Sequence, residues 1–421
     1  MKKFVLALVI LTTVLTGGAV NPARVSADQD ARVRALMQRM SPEEKIGQLF
    51  VVTFEGDEVS PNSDIARLIQ FYHIGGVVIS EKNGNFTNDG NTAAQVAHLT
   101  NHLQSLAYGL GESKILPDTP PWELPAGTST TIPLLIGIEQ EGDGYPFTEL
   151  RNGFTPIPSP LAIGATWKPK NASRTGEIVG EELAAVGVNM LLGPSLDVLD
   201  TPRRTLPGSM GTRTFGGDPF WVGKMGQQYI AGVHNGSKGK VLTVAKHFPG
   251  QGSSDRRPEE EVATVQKSLA ELKQVELAPF LAVTSKSTQV DQRTDMLMSS
   301  HVRYRGFQGN IRNLTPPISM SPQLQQLLNL PSLKEWRDGG GVIMSDALGV
   351  PAIRSYEDPE LKHFPYRQVA QEAFLAGNDL LYLSRFALTD DWKDELSNIQ
   401  GALDFFQKKY RTDPTFKAAV D

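Results

Sequence analysis

Short apolar runs rich in β-branched residues recur along the chain, at Gly47 to Phe54, Gly75 to Ser80, Pro133 to Gln140, Asn189 to Pro194, Lys240 to His247, Met296 to His301, Gly341 to Asp346 and Asp379 to Ser384. Each has the length of a buried strand. Between them lie amphipathic stretches: Asn62 to Tyr72, Ala93 to Tyr108, Ser173 to Val186, Pro219 to His234, Leu269 to Val283, Pro322 to Leu328, Tyr366 to Ala376 and Thr389 to Lys408. Strands alternating with helices imply parallel pairing through right-handed crossovers. The pattern predicts an α/β fold, a (β/α)8 TIM-type barrel with long loops. A doubly wound open sheet competes, but no Gly-x-Gly-x-x-Gly fingerprint follows the first strand.

A barrel concentrates its chemistry where the strands end. Polar residues collect there: Glu139-Gln140-Glu141 after the third run, Asp197 after the fourth, Lys246-His247 at the fifth, Ser299-Ser300-His301, Ser345-Asp346 and Ser384-Arg385 at the last three. The fifth run is the sharpest. Lys240 to Ala245 reads as a strand, and Pro249-Gly250-Gln251-Gly252 forbids its continuation, so Lys246 and His247 are set at its carboxyl end. Before the first strand, Asp28 to Met40 has helical spacing, and Ser41-Pro42-Glu43-Glu44 supplies a helix cap with proline in the first turn.

Composition changes this picture little. The chain has 421 residues, 40% hydrophobic and 21% charged, with a formal net charge of −5. That charge and the lack of any Lys/Arg-rich run argue against a nucleic-acid partner. Met1-Lys2-Lys3 followed by the apolar Phe4 to Leu15, with Val25-Ser26-Ala27 as a small-residue cleavage site, predicts a signal peptide over residues 1–27 and a secreted protein of residues 28–421. The apolar stretch is too short for a stable membrane span. With no cysteine, neither a lipoprotein anchor nor a disulfide framework is available. Two polar stretches, Ser113 to Thr131 and Gly142 to Pro160, flank the third strand, where they either wall a pocket or decorate the surface.

Several motifs in order resemble the N-terminal catalytic domain of glycoside hydrolase family 3, most closely its bacterial β-N-acetylhexosaminidase branch. They are Ser41-Pro42-Glu43-Glu44-Lys45-Ile46-Gly47-Gln48-Leu49, Ile138-Glu139-Gln140-Glu141-Gly142, Gly193-Pro194-Ser195-Leu196-Asp197-Val198, Arg213-Thr214-Phe215-Gly216-Gly217-Asp218-Pro219, Lys246-His247-Phe248-Pro249-Gly250 and Val342-Ile343-Met344-Ser345-Asp346-Ala347-Leu348. The resemblance implies retaining hydrolysis of a terminal β-linked N-acetylglucosamine or glucose unit, with no metal or organic cofactor. Asp346 matches the family nucleophile. Lys246, His247 and Arg213 match sugar-binding positions, as do Asp197 and Glu139, although Glu139 stands where the branch typically has aspartate.

One element of the family pattern is missing. Retaining hydrolysis needs a proton donor beside the nucleophile, and the branch supplies a histidine from the loop after Lys-His-Phe-Pro-Gly. Here that loop reads Gly252-Ser253-Ser254-Asp255-Arg256-Arg257-Pro258-Glu259-Glu260-Glu261, with no histidine. Three explanations stand: Asp255 or one of Glu259 to Glu261 replaces it; the donor lies in a C-terminal domain, Lys417 to Asp421 resembling the start of a further segment cut before its helix; or the domain binds glycan without cleaving it. His301 is a further titratable candidate, expected as a structural residue. A Schiff-base aldolase built on Lys246 would leave the other motifs unused.

Overall fold

The computed structural model describes residues 22–109, 132–200 and 210–421. Residues 1–21 of the expected leader and the Ser113 to Thr131 insertion lie outside the described residues. The described residues 22–40 belong to a unit of their own, in which Pro22–Arg39 is a helix that includes Val25-Ser26-Ala27. Among the described residues no helix is long and apolar enough to cross a membrane.

The second unit, residues 41–421, is the barrel. Its strands are β1 (Phe50–Val52), β2 (Gly76–Val78), β3 (Leu135–Ile138), β4 (Met190–Leu191), β5 (Leu242–Phe248), β7 (Met296–Ser299), β9 (Val342–Ser345) and β10 (Leu381–Leu383); β6 (Ala263–Val265) and β8 (Val302–Tyr304) pair separately. The eight expected strands all form, shorter than their apolar runs. They pair in parallel in the order β10-β1-β2-β3-β4-β5-β7-β9. A bridge between Met344 and Leu380, with Ser345 N–H donating to the Leu380 carbonyl at 2.8 Å, brings the edge strands together and nearly closes the ring.

Strand side chains alternate between the two faces of the sheet. One set, including Val51, Val78, Met190, Val244, Met298 and Met344, packs on itself and fills the barrel interior. The other set joins the larger cluster under the surrounding helices. The alternation has a consequence for chemistry. Two residues beyond the interior Val244 comes Lys246, two beyond Met344 comes Asp346, and two beyond Gly137 comes Glu139, so all three belong to the interior face at its upper rim.

The two longest helices of the β3 to β5 region, Pro169–Ala185 and Pro219–Ser237, lie unusually close. An added Cβ at Gly176 or Gly180 would overlap the Tyr229 or Val233 carbonyl, and one at Gly232 or Gly236 the Ser173 or Glu177 carbonyl. Each helix thus offers a pair of glycines four residues apart to the backbone of the other.

Three expectations need correction. The Leu269 to Val283 segment is two helices, Leu269–Gln274 and Leu277–Thr284. Pro279 cannot donate to the Val275 carbonyl and its ring would strike it, so a continuous helix is excluded there. The helix expected at Thr389 to Lys408 forms as Trp392–Thr412, while Lys417 to Val420, expected as a segment cut before its helix, belong to the helix Pro414–Val420, whose Phe416 ring packs 5.1 Å from Phe406. Pro331–Asp338 and Pro351–Glu357, each opened by a proline, are helices that the apolar spacing did not single out.

Candidate active site

Lys246 is fully buried and holds two carboxylates, Glu139 at 2.8 Å and Glu141 at 2.6 Å. Glu141 is in turn gripped by Arg213, whose Nε lies 2.7 Å and Nη2 2.9 Å from its two oxygens, while the Arg213 guanidinium stacks 4.3 Å over Phe147. The charges settle one another. Burial opposes ionisation of Glu141, but Lys246 and Arg213 outweigh it and hold its carboxyl far below the usual range. Lys246 and Arg213 are likewise raised despite burial, by the carboxylates around them. Buried ion pairs contribute little net stability against an apolar alternative, so their value here lies in fixing donors at the mouth. A lysine has three N–H donors, and two are engaged.

The neighbouring residue forms a second pair. His247 Nδ1 donates to Asp197 Oδ2 at 2.8 Å, and Asp197 also accepts from Ser195 Oγ at 2.9 Å and Gln251 N–H at 2.7 Å. Burial opposes the charge on Asp197, yet His247 and these donors keep its pKa below the ordinary value. With Nδ1 engaged, His247 Nε2 is left without a partner among the described residues.

Asp346 follows β9, its N–H donating to the Ser299 carbonyl at 3.0 Å. One oxygen accepts the Ala347 N–H at 2.8 Å, and the other meets no donor among the described residues. Burial pushes this carboxyl up, but His301, His247, the Ala347 N–H and Lys246 pull it below the usual aspartate value, so it is ionised at neutral pH. Those pulls come from residues on β5 and just beyond β7, the next two strands of the ring. Of the expected neighbours, His247 and Lys246 thus act electrostatically on Asp346.

His301 is buried and bonded at both nitrogens, 2.9 Å to the Ala347 carbonyl and 2.8 Å to Ser319 Oγ. A carbonyl only accepts, so Nε2 carries the proton and Nδ1 accepts from Ser319. Burial lowers its pKa against the pull of Asp346, consistent with a neutral ring that holds the Asp346-Ala347 turn.

The two candidate donors separate. Asp255 is committed to loop structure, accepting from Thr264 N–H at 2.8 Å and Arg256 Nε at 3.2 Å. Glu259 has a 47% exposed side chain 3.8 Å from Arg213 Nη1, acts electrostatically on His301, and its carbonyl accepts from Ala352 N–H at 3.1 Å, six residues past Asp346. Glu259 thus borders the pocket, and Asp255 does not serve it.

Three participants escaped the sequence reading. Glu141 was visible within its motif, and the two-residue spacing from Glu139 was the signal that both share a face. Tyr382, on the interior face of β10, lies within the field of both Glu139 and Asp346, and burial together with these carboxylates raises its phenol well above the usual value. Glu149 belongs to the Gly142 to Pro160 stretch, which does wall the mouth: Gln140 pairs with Thr148, and Glu149 N–H donates to the Glu139 carbonyl at 3.2 Å. No simple pattern marks either residue. Among the described residues no cluster of histidines and acids suits a metal.

Comparison with known proteins agrees with this architecture. The family model for the glycosyl hydrolase family 3 N terminal domain matches residues 124–409. The chain is 25% identical over 352 residues to beta-hexosaminidase A of Pseudoalteromonas piscicida, covering 78% of this chain and 52% of that protein. It is 28% identical over 236 residues to the beta-N-acetylglucosaminidase/beta-glucosidase of Cellulomonas fimi, covering 56% of this chain and 34% of the relative. The chain thus spans about half of the first relative's length and about a third of the second's. A family 3 beta-N-acetylglucosaminidase structure from Paenibacillus sp. str. FPU-7 superposes with a TM-score of 0.68 at 26% identity, over 90% of this chain and 61% of the other. With the motifs, the barrel and the family match in agreement, the chain belongs to glycosyl hydrolase family 3, of whose N-terminal domain it is an example.

Proposed function

We propose that this chain is a retaining β-glycoside hydrolase that releases a terminal β-linked N-acetylglucosamine or glucose unit. The observation that carries the reading is the ionised Asp346 on the rim of the barrel interior, within the electrostatic reach of Lys246 and His247. The names of the relatives, a beta-hexosaminidase and a beta-N-acetylglucosaminidase/beta-glucosidase, support the sugar class. The exported form is taken to be residues 28–421, and amino-terminal sequencing of the secreted protein would then begin at Asp28.

The pocket suits a polyhydroxyl ring. The free ends of Lys246, Arg213 and His247 donate to hydroxyls, and the partly exposed Glu139 accepts from them. In the first step Asp346 attacks the anomeric carbon, the glycosidic bond breaks, and Glu259 gives its proton to the departing oxygen. In the second, Glu259 takes a proton from water, whose oxygen displaces the Asp346 ester and restores the carboxylate. Arg213, 3.8 Å from Glu259, keeps that side chain at the pocket edge.

Turnover of para-nitrophenyl β-N-acetylglucosaminide and β-glucoside tests both assignments. Asp346→Ala abolishes hydrolysis of whichever is cleaved. Glu259→Gln lowers kcat by roughly 10²- to 10⁴-fold for a poor leaving group, much less for a dinitrophenyl one, and azide then yields the β-glycosyl azide. Full activity of Asp346→Ala rejects the nucleophile. Saturable sugar binding by the unaltered protein without turnover favours a glycan-binding domain instead.

A further inference from the structure

Outside the pocket, three aromatic rings lie together on the face of the barrel where the strands end. Trp167 and Phe220 are 59% and 69% exposed. Each stands edge-on to Trp221, with centroids 5.2 and 5.6 Å away, and Trp221 is half-buried against the core under the helices. One anchored ring therefore holds two others in water.

The backbone fixes them as well. Asp218 Oδ1 accepts the N–H groups of Phe220 at 3.0 Å and Trp221 at 3.1 Å, with Pro219 in the same turn. Trp167 has φ of 54°, a left-handed conformation disfavoured for a bulky side chain. Exposure of the rings and strain at Trp167 both work against folding, so folding does not account for them. Such outliers point to function.

Their place in the fold narrows that function. Helices that follow barrel strands begin on the side of the mouth, and these rings sit just before Pro169–Ala185 and at the start of Pro219–Ser237. Gly164 packs directly against the Phe215 carbonyl, tying the Trp167 segment to the one that carries Arg213. Phe220 lies seven residues from Arg213, a separation of at most about 25 Å. The rings and the pocket therefore lie on the same side of the barrel.

We propose that Trp167, Phe220 and Trp221 form an outer glycan-binding platform, on which sugars of a β-linked chain stack while its terminal unit occupies the pocket. A pyranose in such a chain offers an apolar C–H face to a ring and its hydroxyls to water, which suits a ring held in water beside a sugar pocket. The exposed Lys168 and Lys170 next to Trp167 would also suit an anionic membrane surface, but the continuity with the mouth favours glycan.

The proposal rests on the glycosidase reading, and the test separates the two. Isothermal titration is run on Asp346→Ala protein, so that turnover does not interfere, with N-acetylglucosamine and with its β-linked hexasaccharide. Adding Trp167→Ala or Phe220→Ala weakens hexasaccharide binding roughly five- to tenfold per ring, with monosaccharide binding unmoved. If the parent binds both sugars and neither variant changes the hexasaccharide affinity, the platform is wrong and the pocket stands. A parent that binds neither sugar overturns the pocket and the platform together. Loss of binding to phosphatidylglycerol vesicles in the variants, with glycan affinity unchanged, makes the patch a membrane contact and refutes the glycan proposal.

Discussion

Glu149 is buried beside the ion network, with Oε2 accepting Glu81 N–H at 2.8 Å. Burial, together with the Glu139 and Glu81 carboxylates, pushes its pKa up from 4.5 to about 7, against the pull of that N–H and of Arg151. Between those values the folded protein keeps a proton that the unfolded chain has lost, so stability falls as pH rises through this window and levels off above it. Glu149→Gln keeps an acceptor for Glu81 and removes the titration. The variant is expected to be more stable than the parent by on the order of 2 kcal/mol near pH 8 and no different near pH 4, read by denaturant unfolding at both pH values. A constant difference at all pH values would contradict the assignment. Such residues are hard to read from sequence because their state depends on what folds over them. Asp346 and Lys246 were legible because each stands at the carboxyl end of an apolar run, a local fact, within a motif of the family. Glu259 was legible only as one of several acids in a charged run, and the contact with Arg213 separates it from Asp255.

At the scale of elements, the strands were readable because apolar runs of the right length are bounded by glycine, proline and polar residues. Their true lengths were not, since a strand such as Met190–Leu191 is only as long as its pairing with β3 and β5. The β6/β8 pair escaped for a related reason: three residues carry no periodicity, and Val302–Tyr304 pairs with a distant segment. The close approach of Pro169–Ala185 and Pro219–Ser237 was also invisible, because isolated glycines in a helix do not say what they face. Gly232→Ala introduces a methyl group against the Ser173 carbonyl. It should destabilise the protein by about 1 to 3 kcal/mol, whereas Gly239→Ala, with nothing near its Cβ, should report only the φ penalty. Thermal unfolding measures both, and an unchanged Gly232→Ala midpoint would refute the close-packing account.

At the scale of the whole molecule, closing eight parallel strands into a ring makes residues hundreds of positions apart in sequence into neighbours. Glu139 and Asp346 stand four strands apart around that ring, with Lys246 and His247 between them on β5 and Tyr382 on β10 within the field of both carboxylates. The order of polar strand ends along the sequence foreshadowed the mouth. The absence of a loop histidine did not foreshadow what replaces it. The central claim is that Asp346 forms the covalent bond to sugar, and its most direct measurement is mass spectrometry after brief exposure to an activated fluorosugar. The account predicts a single fluoroglycosyl adduct on the peptide that contains Asp346, released when the reagent is removed and an acceptor is added. Turnover of the same sugar class with no adduct, or an adduct on another residue, would contradict it.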